Sequence, residues 1–134
     1  MTTIYVARSS KLSKWASDVG LSKHIFKLGC TDEDPKSLVV AGWASETDWQ
    51  LVKKQVVDGL TEAEVVERVA RKEKLIDPNI YPRIRGAIGL FKVVPAHVEN
   101  HMLVRRALAG EAERIEFKLK PADFADYLIA NAVR

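Results

Sequence analysis

The chain has 134 residues, of which 47% are hydrophobic and 29% are charged, so its size and composition are those of one folded domain. Lys and Arg number 21 against 18 Asp and Glu, and the formal net charge of +3 permits an anionic partner without demanding one. One cysteine excludes an internal disulfide and a cysteine-rich zinc site. The sequence has no secretory signal pattern and no apolar run of roughly 18 residues, so we expect a cytoplasmic protein without a membrane partner.

The first half of the chain has the pattern of short strands alternating with short helices. Residues 3–7 are rich in β-branched and aromatic side chains, which predicts a strand. Apolar residues recur at helical spacing in 10–20, and a glycine closes that segment, so a helix is predicted there. Polar and apolar residues alternate in 24–29, which predicts a strand whose final glycine marks a turn or a close approach of the backbone. A proline-led helix at 35–42 and a brief strand at 49–52 follow.

The second half adds helices and further strands. Residues 61–64 have the form of a capping box, and the helix that they open carries apolar residues as far as Ile76, before Pro78. The remaining predicted elements are a loop at 80–86, a buried strand at 88–94, a helix at 96–109, an edge strand at 114–119, and a last helix from Pro121 with Phe124, Tyr127, Leu128 and Ala132 inward. We predict one α+β domain, residues 1–134, on a small mixed or antiparallel sheet flanked by helices.

Several short motifs follow one another in a recognisable order. Thr3-Ile4-Tyr5 lies in the first predicted strand, and Lys27-Leu28-Gly29 lies in the second, just before Cys30-Thr31 and Asp34-Pro35-Lys36-Ser37-Leu38. A helix with Val98-Glu99-Asn100-His101 precedes an Ile-Glu-Phe strand and a proline-led helix. In this order the motifs resemble the GIY-YIG nuclease superfamily, in the divergent bacterial and phage branch that has Lys-x-Gly in place of Tyr-Ile-Gly. The resemblance covers most of the chain and implies a GIY-YIG-like fold in which 43–87 is a helical insertion.

The resemblance also implies a function, which is metal-dependent hydrolysis of DNA by an endonuclease. Tyr5 and Lys27 would position the nucleophilic water, and Glu99 would hold Mg²⁺ or Mn²⁺. The catalytic Arg of the family would fall near Ser37, where the sequence has none. From the residues alone, a tyrosine with an ordinary pKa of about 10 needs a nearby cation to act at pH 7, which Lys27 can supply. The alternative is that Tyr5 is a core aromatic residue and Lys27 a solvated strand residue.

Glu99 lies in the predicted helix at 96–109, close to its apolar side. It is roughly 40° around the helix from Leu103, at the border of the face that we predict to be formed by Ala96, Leu103, Val104 and Ala107. A carboxylate at the edge of the core can hold one Mg²⁺ that otherwise keeps waters and phosphate oxygens. The alternative is a first-turn acid that the helix dipole favours.

Two other signals compete with the Glu99 site. His97 and His101 have the i, i+4 spacing at which two imidazoles can share a metal, but Glu99 points away from both, and ordinary boundary histidines fit the pattern better. Cys30 has no associated catalytic pattern, so we expect a small half-buried residue rather than a nucleophile.

The basic residues predict where nucleic acid would bind. Lys36, Arg83, Arg85 and Arg106 are the candidate phosphate contacts, and Lys36, Arg83 or Arg85 can replace the missing Arg as a catalytic cation. The alternative is an ordinary solvated surface of mixed charge. The sequence therefore leaves three functions open: a DNA endonuclease, a catalytically inactive nucleic-acid-binding relative, and a protein-interaction domain on the same fold.

Overall fold

The computed structural model of the protein describes residues 2–21, 23–44, 46–84, 87–108, 110 and 119–133. Strands and helices alternate along most of this length. Their bounds are β1 Thr2–Ser9, α1 Ser10–Asp18, β2 Ile25–Thr31, α2 Pro35–Ala41, β3 Trp49–Val57, α3 Glu62–Ala70, β4 Lys74–Leu75, a 3₁₀ turn Pro82–Ile84, β5 Leu90–Lys92, α4 Pro95–Leu108 and α5 Pro121–Ala132. None of the helices in these ranges is both long enough and apolar enough to cross a bilayer.

The five strands form one antiparallel sheet in the order β3-β1-β2-β5-β4. The predicted α+β class is therefore confirmed, with the antiparallel form of the sheet. β1 is an inner strand, next to the edge strand β3, and it pairs with β2 on one side and with β3 along its whole length on the other. This register places Tyr5 opposite Gly29 and places Lys27 between Ala7 of β1 and Leu90 of β5.

Alternation along β1 and β2 sorts their side chains onto two covered faces of the sheet. Ile4, Val6, Phe26 and Leu28 pack under α3 and α5, and we call this side the α5 face. The opposite side, which we call the α1 face, packs Ala7 with buried residues of α1, α2 and β3. Tyr5 and Lys27 alternate with the α5-face residues and therefore project toward the α1 face.

Local capping explains where the first two helices begin. The Ser9 hydroxyl accepts a hydrogen bond from the Leu12 amide at 3.2 Å, which caps α1. The Asp34 carboxylate accepts from the Lys36 amide at 3.0 Å, and Pro35 occupies the first turn of α2. Both helices therefore start and end close to where the sequence pattern predicts.

Residues 43–87 depart most from the prediction. The predicted brief strand extends to Val57, because it pairs with β1 throughout. The helix predicted as far as Ile76 ends at Ala70, and Lys74–Leu75 instead pair with β5, so sheet pairing overrides the helical spacing. The segment thus contributes β3 and β4 to the common sheet.

The later elements are also only partly as predicted. β5 is three residues long rather than seven, because Gly89 before it has a left-handed φ of 86° and the Val94 amide after it donates to the Glu73 carboxylate. α5 begins at Pro121, and its four predicted inward residues are buried. The edge strand predicted at 114–119 lies, apart from Leu119, outside the described residues.

The apolar face predicted for α4 is wrong. Leu103 and Val104 are 46% and 58% exposed, whereas Val98 is fully buried in the α5-face core and Met102 packs beside it. The helix therefore uses the stripe through 98 and 102 rather than the stripe through 103 and 104. Glu99 is exposed as a consequence.

Candidate active site

Tyr5 and Lys27 lie side by side on the two central strands. Both line an open pocket of about 280 Å³ together with Trp43 and Glu62. The Lys27 ammonium lies 5.6 Å from the centroid of the Tyr5 ring and 5.3 Å from that of Trp43. The Tyr5 and Trp43 rings stack, with centroids 5.7 Å apart, so a rigid aromatic wall holds the ammonium in place.

A carboxylate that the sequence analysis did not single out completes this pocket. Glu62, in the first turn of α3, places its Oε1 3.7 Å from Lys27 Nζ. The Thr61 hydroxyl caps the helix by accepting from the Glu64 amide at 3.3 Å, which is the Thr61 half of the predicted capping box. The positive end of the helix dipole favours a carboxylate at this position.

Gly29 explains how the hydroxyl and the carboxylate approach one strand so closely. A Cβ on Gly29 would lie 2.5 Å from Tyr5 Oη and 2.5 Å from Glu62 Oε1. The two oxygens are therefore separated by no more than twice that distance. The absence of a side chain leaves room for both groups, which is the close approach expected for this glycine.

The exposure of the charged pair is unequal. The Lys27 side chain is 4% exposed and donates a hydrogen bond to the Leu28 carbonyl at 3.2 Å, whereas the Glu62 side chain is 47% exposed. Burial lowers the pKa of Lys27, and the charge of Glu62 only partly opposes this effect. The pocket thus contains a cation held in place by the protein beside a carboxylate that solvent can reach.

The pKa shifts of the other two titratable groups limit their chemistry. Burial, with the charge of Glu62 as the second cause, raises the pKa of Tyr5 far above its ordinary value. The tyrosine is therefore a neutral hydroxyl at pH 7, which can orient a water but cannot act as a base. Burial and Glu62 likewise raise the pKa of the Cys30 thiol to about 11, so it is not a thiolate nucleophile at neutral pH.

The structure does not bring Glu99 to this pocket. Glu99 lies on α4, whose buried residue Val98 belongs to the core of the opposite α5 face. It is absent from the residues that line the Tyr5 pocket. Of the three predicted catalytic residues, Tyr5 and Lys27 are together, and Glu62 provides the carboxylate beside them.

The two histidines of α4 have other contacts. His97 Nδ1 lies 2.8 Å from an oxygen of Glu73, a buried carboxylate that also accepts from the Val94 amide. The His101 ring packs edge-on against Tyr127. These contacts fit the expectation of ordinary boundary histidines.

The predicted basic contacts are scattered. Lys36 is exposed in the first turn of α2, close to the pocket residue Leu38. Arg83 donates to the Ala44 carbonyl and to the Glu46 carboxylate, so its charge is neutralised. Arg106 lies on α4, and Arg85 is outside the described residues.

The side chains that could act as ligands determine which kind of metal site is possible here. Within the described ranges, His, Cys, Asp and Glu form no group of three or more that could hold a metal ion. Glu62 offers a single, half-exposed carboxylate. Such a site fits Mg²⁺ or Mn²⁺ bound through one carboxylate, with waters and substrate phosphate oxygens as the other ligands.

Comparison with known proteins adds no family to this geometry. No protein-family model, no curated protein and no solved structure matches the chain. The function must therefore be inferred from the chemistry of the Tyr5 pocket and from the order of the motifs.

Proposed function

We propose that this chain is a divergent GIY-YIG-like endonuclease that hydrolyses phosphodiester bonds in DNA with the help of Mg²⁺ or Mn²⁺. One observation carries the proposal: Tyr5, Lys27 and Glu62 line a single open pocket, with the ammonium 3.7 Å from the carboxylate. A hydroxyl, a fixed cation and a carboxylate are the groups that hydrolysis of a phosphodiester requires.

Each of the three groups has a distinct role in this mechanism. The Tyr5 hydroxyl is neutral and orients the attacking water through a hydrogen bond. The proton that this water loses passes to solvent at the open side of the pocket, and the departing sugar oxygen takes up a proton from solvent. The Lys27 ammonium stabilises the negative charge that develops on the phosphoryl oxygens, which is the task left open by Ser37.

Glu62 is the group that would hold the divalent cation. Its half-exposed side chain can be reached by an ion from solvent while Oε1 stays beside the Lys27 ammonium. When bound, the ion supplies positive charge at the phosphoryl oxygens and reduces the repulsion between DNA and the acidic residues around the pocket. Those acidic residues include Asp32 and Glu64, whose charges reach the Cys30 thiol.

A pair of isosteric variants tests the assignment of the carboxylate. We expect Glu62→Gln to require at least about tenfold more Mg²⁺ for half-maximal cleavage, because the amide lacks the charge that holds the ion. Glu99→Gln, on the exposed side of α4, should need the same Mg²⁺ concentration as the parent for half-maximal cleavage. The measurement is cleavage of a labelled duplex across a series of Mg²⁺ concentrations, with EDTA as the blank.

If Glu99→Gln needs more Mg²⁺ and Glu62→Gln does not, the metal ligand is Glu99 on α4, as the resemblance alone implies. Unchanged titration curves for both variants would remove both carboxylates from the reaction. The melting temperature of Glu99→Gln should match the parent, since that side chain is exposed, whereas Glu62→Gln should melt lower, because it leaves the buried Lys27 ammonium without its carboxylate partner.

DNA binding should be weak, dependent on divalent cations, and steeply dependent on salt. Lys36→Ala should lower the slope of log Kd against log salt by about one, because it removes one phosphate contact. Arg83→Ala is the matched control, since its guanidinium is already paired with Glu46. Fluorescence anisotropy at several salt concentrations measures both slopes, and an equal decrease in the two variants would contradict this assignment.

A second function, DNA binding without cleavage, is favoured by the state of Lys27. Its ammonium is already paired with Glu62 and with the Leu28 carbonyl, and no arginine stands at position 37 to add charge. Under this alternative the parent binds DNA but leaves it intact in Mg²⁺ and Mn²⁺. Introducing an arginine by Ser37→Arg would then fail to produce cleavage.

A further inference from the structure

A second cleft opens where β1 ends and β2 begins, and it is lined by residues of both α1 and α5 and by none of the residues that line the Tyr5 pocket. Its volume is about 250 Å³, and its lining includes Arg8, Ser13, Lys23, His24, Phe26 and Phe124. Arg8 follows Ile4 and Val6 at a spacing of two residues along β1, so it projects to the α5 face. The charged residues that line the cleft, among those described, are all basic.

Ser13 presents a hydroxyl to this cleft without a partner. The residue is 6% exposed, and its Oγ has no hydrogen-bond partner among the described residues. Buried hydroxyl groups are nearly always hydrogen-bonded, because an unmade bond costs the full desolvation of the group. A ligand oxygen in the cleft would satisfy this donor.

The two cations in the lining are also available. Neither Arg8 nor Lys23 forms an ion pair with a described acidic residue. Burial lowers the pKa of His24, and the positive charges of Lys23 and Arg8 lower it further, so its imidazole is neutral at pH 7. The cleft thus combines two positive charges with one hydroxyl donor, a combination suited to a doubly charged anion.

The floor of the cleft is aromatic. Phe124 stacks on Phe26 with ring centroids 5.1 Å apart, and His24 stacks on Phe124 at 4.9 Å. Because Phe124 is stacked between the other two rings, a flat apolar group in the cleft would pack against the edges of these rings. The volume is below the roughly 300–1,000 Å³ of most organic-ligand pockets, so it suits one phosphate and one adjoining ring system.

We propose that this cleft binds a phosphomonoester whose molecule also carries a flat ring system, with Arg8 and Lys23 contacting the phosphate and the Ser13 hydroxyl donating to it. A free mononucleotide and the 5′-phosphorylated end of a strand are the two sources of this chemistry. The site lies apart from the Tyr5 pocket and does not depend on the function proposed for that pocket.

Calorimetric titration of the full chain with AMP, in EDTA, tests the site without engaging the metal-dependent pocket. We expect Arg8→Gln and Lys23→Gln each to weaken AMP binding at least about tenfold, which corresponds to the loss of one charged contact. Lys14→Gln, an exposed lysine on the same helix as Ser13 but outside the lining, should bind AMP like the parent. Lys23 is exposed, so its variant remains a valid test if the Arg8 variant does not fold.

Ser13→Ala should change AMP affinity and melting temperature in a combination that is not expected if Ser13 has only a structural role. It should weaken AMP binding about tenfold while the melting temperature without ligand stays equal or rises, because an unpaired buried hydroxyl has been removed. Tighter binding of AMP than of a 5′-phosphorylated oligonucleotide would assign the cleft to free nucleotides, and the reverse order to strand ends. Three results would overturn the proposal. They are equal binding of adenosine and AMP, no binding of AMP, and parental affinity for AMP in the Arg8, Lys23 and Ser13 variants.

Discussion

Replacing Lys27 with Met is expected to slow DNA cleavage by roughly 10²- to 10³-fold, the usual effect of removing one group aimed at transition-state charge. Methionine keeps the unbranched shape of the side chain, so the packing of Lys27 against Tyr5 and Trp43 is retained. Only the charge is lost. Cleavage is measured at saturating DNA, so that the change appears in kcat rather than in binding.

The same substitution should leave the free energy of unfolding unchanged or increase it. Lys27 is the buried partner of its ion pair, and the half-exposed Glu62 can be hydrated when the ammonium is gone. Removing one partner of an ion pair is costly when the charge left behind is buried, and here that charge is on the half-exposed Glu62. A loss of activity without a loss of stability is expected of a charge retained for function.

The pH dependence of this stability difference has a definite sign. Burial lowers the pKa of Lys27 in the folded state below its ordinary value of 10.5, so the unfolded chain binds the proton more tightly. The parent therefore gains stability as the pH rises from the lowered pKa toward 10.5. The advantage of Lys27→Met should be full below the lowered pKa and should shrink between that pKa and 10.5.

Lys53→Met is the matched control for this experiment. Lys53 is also a strand lysine paired with a carboxylate, Asp126, but its side chain is 43% exposed and lies outside the pocket. Its substitution should leave the rate of cleavage unchanged. If Lys27→Met cleaves like the parent, the ammonium does not act on the substrate.

The sequence predicted best the elements whose boundaries are chemically marked. The Ser9 and Asp34 caps, Pro35 and Pro121 specify where their helices begin, and all three helices are present. The segment after Ala70 was mispredicted because its apolar spacing continues to Ile76. Only the pairing of Lys74–Leu75 with β5, a contact distant in sequence, decides that the helix stops.

The residues of the candidate site also fall into those that the sequence predicts and one that it does not. Tyr5 and Lys27 could be predicted, because each belongs to a strand motif and neighbouring antiparallel strands bring their side chains together. Glu62 could be predicted only as a first-turn residue of a capped helix. Nothing in its local sequence shows that this helix begins beside Gly29, since that depends on how α3 packs on the sheet.

The predicted position of Glu99 at the edge of the core was wrong for a different physical reason. α4 carries apolar residues on two adjacent stripes, and helical periodicity does not say which of them is buried. The structure buries Val98 and leaves Leu103 and Val104 exposed. A displacement of the buried stripe around the helix moves a carboxylate from the edge of the core to solvent.

Gly29 is the position where a small change should most disturb both the site and the fold. A Cβ there would lie 2.5 Å from Tyr5 Oη, 2.7 Å from Tyr5 Cζ and 2.5 Å from Glu62 Oε1. Glu62 can swing into solvent, but Tyr5 is only 2% exposed and stacked on Trp43. We expect Gly29→Ala to destabilise the protein by about 1–3 kcal/mol, as overpacking of a filled interior does. Cleavage should fall roughly 10²-fold, because the hydroxyl and the carboxylate are pushed apart.

A double-mutant cycle shows whether this cost arises at Tyr5. Tyr5→Leu removes both tyrosine atoms that the new methyl group would meet, so Gly29→Ala should cost about 1 kcal/mol less in that background than in the parent. Chemical denaturation of the four proteins measures the coupling, and the slopes of the transitions show whether unfolding remains two-state. Additive costs would mean that the methyl group is accommodated by movement of Glu62 alone. In that case Tyr5 keeps its place over Gly29, and the loss of cleavage is assigned to the displaced carboxylate.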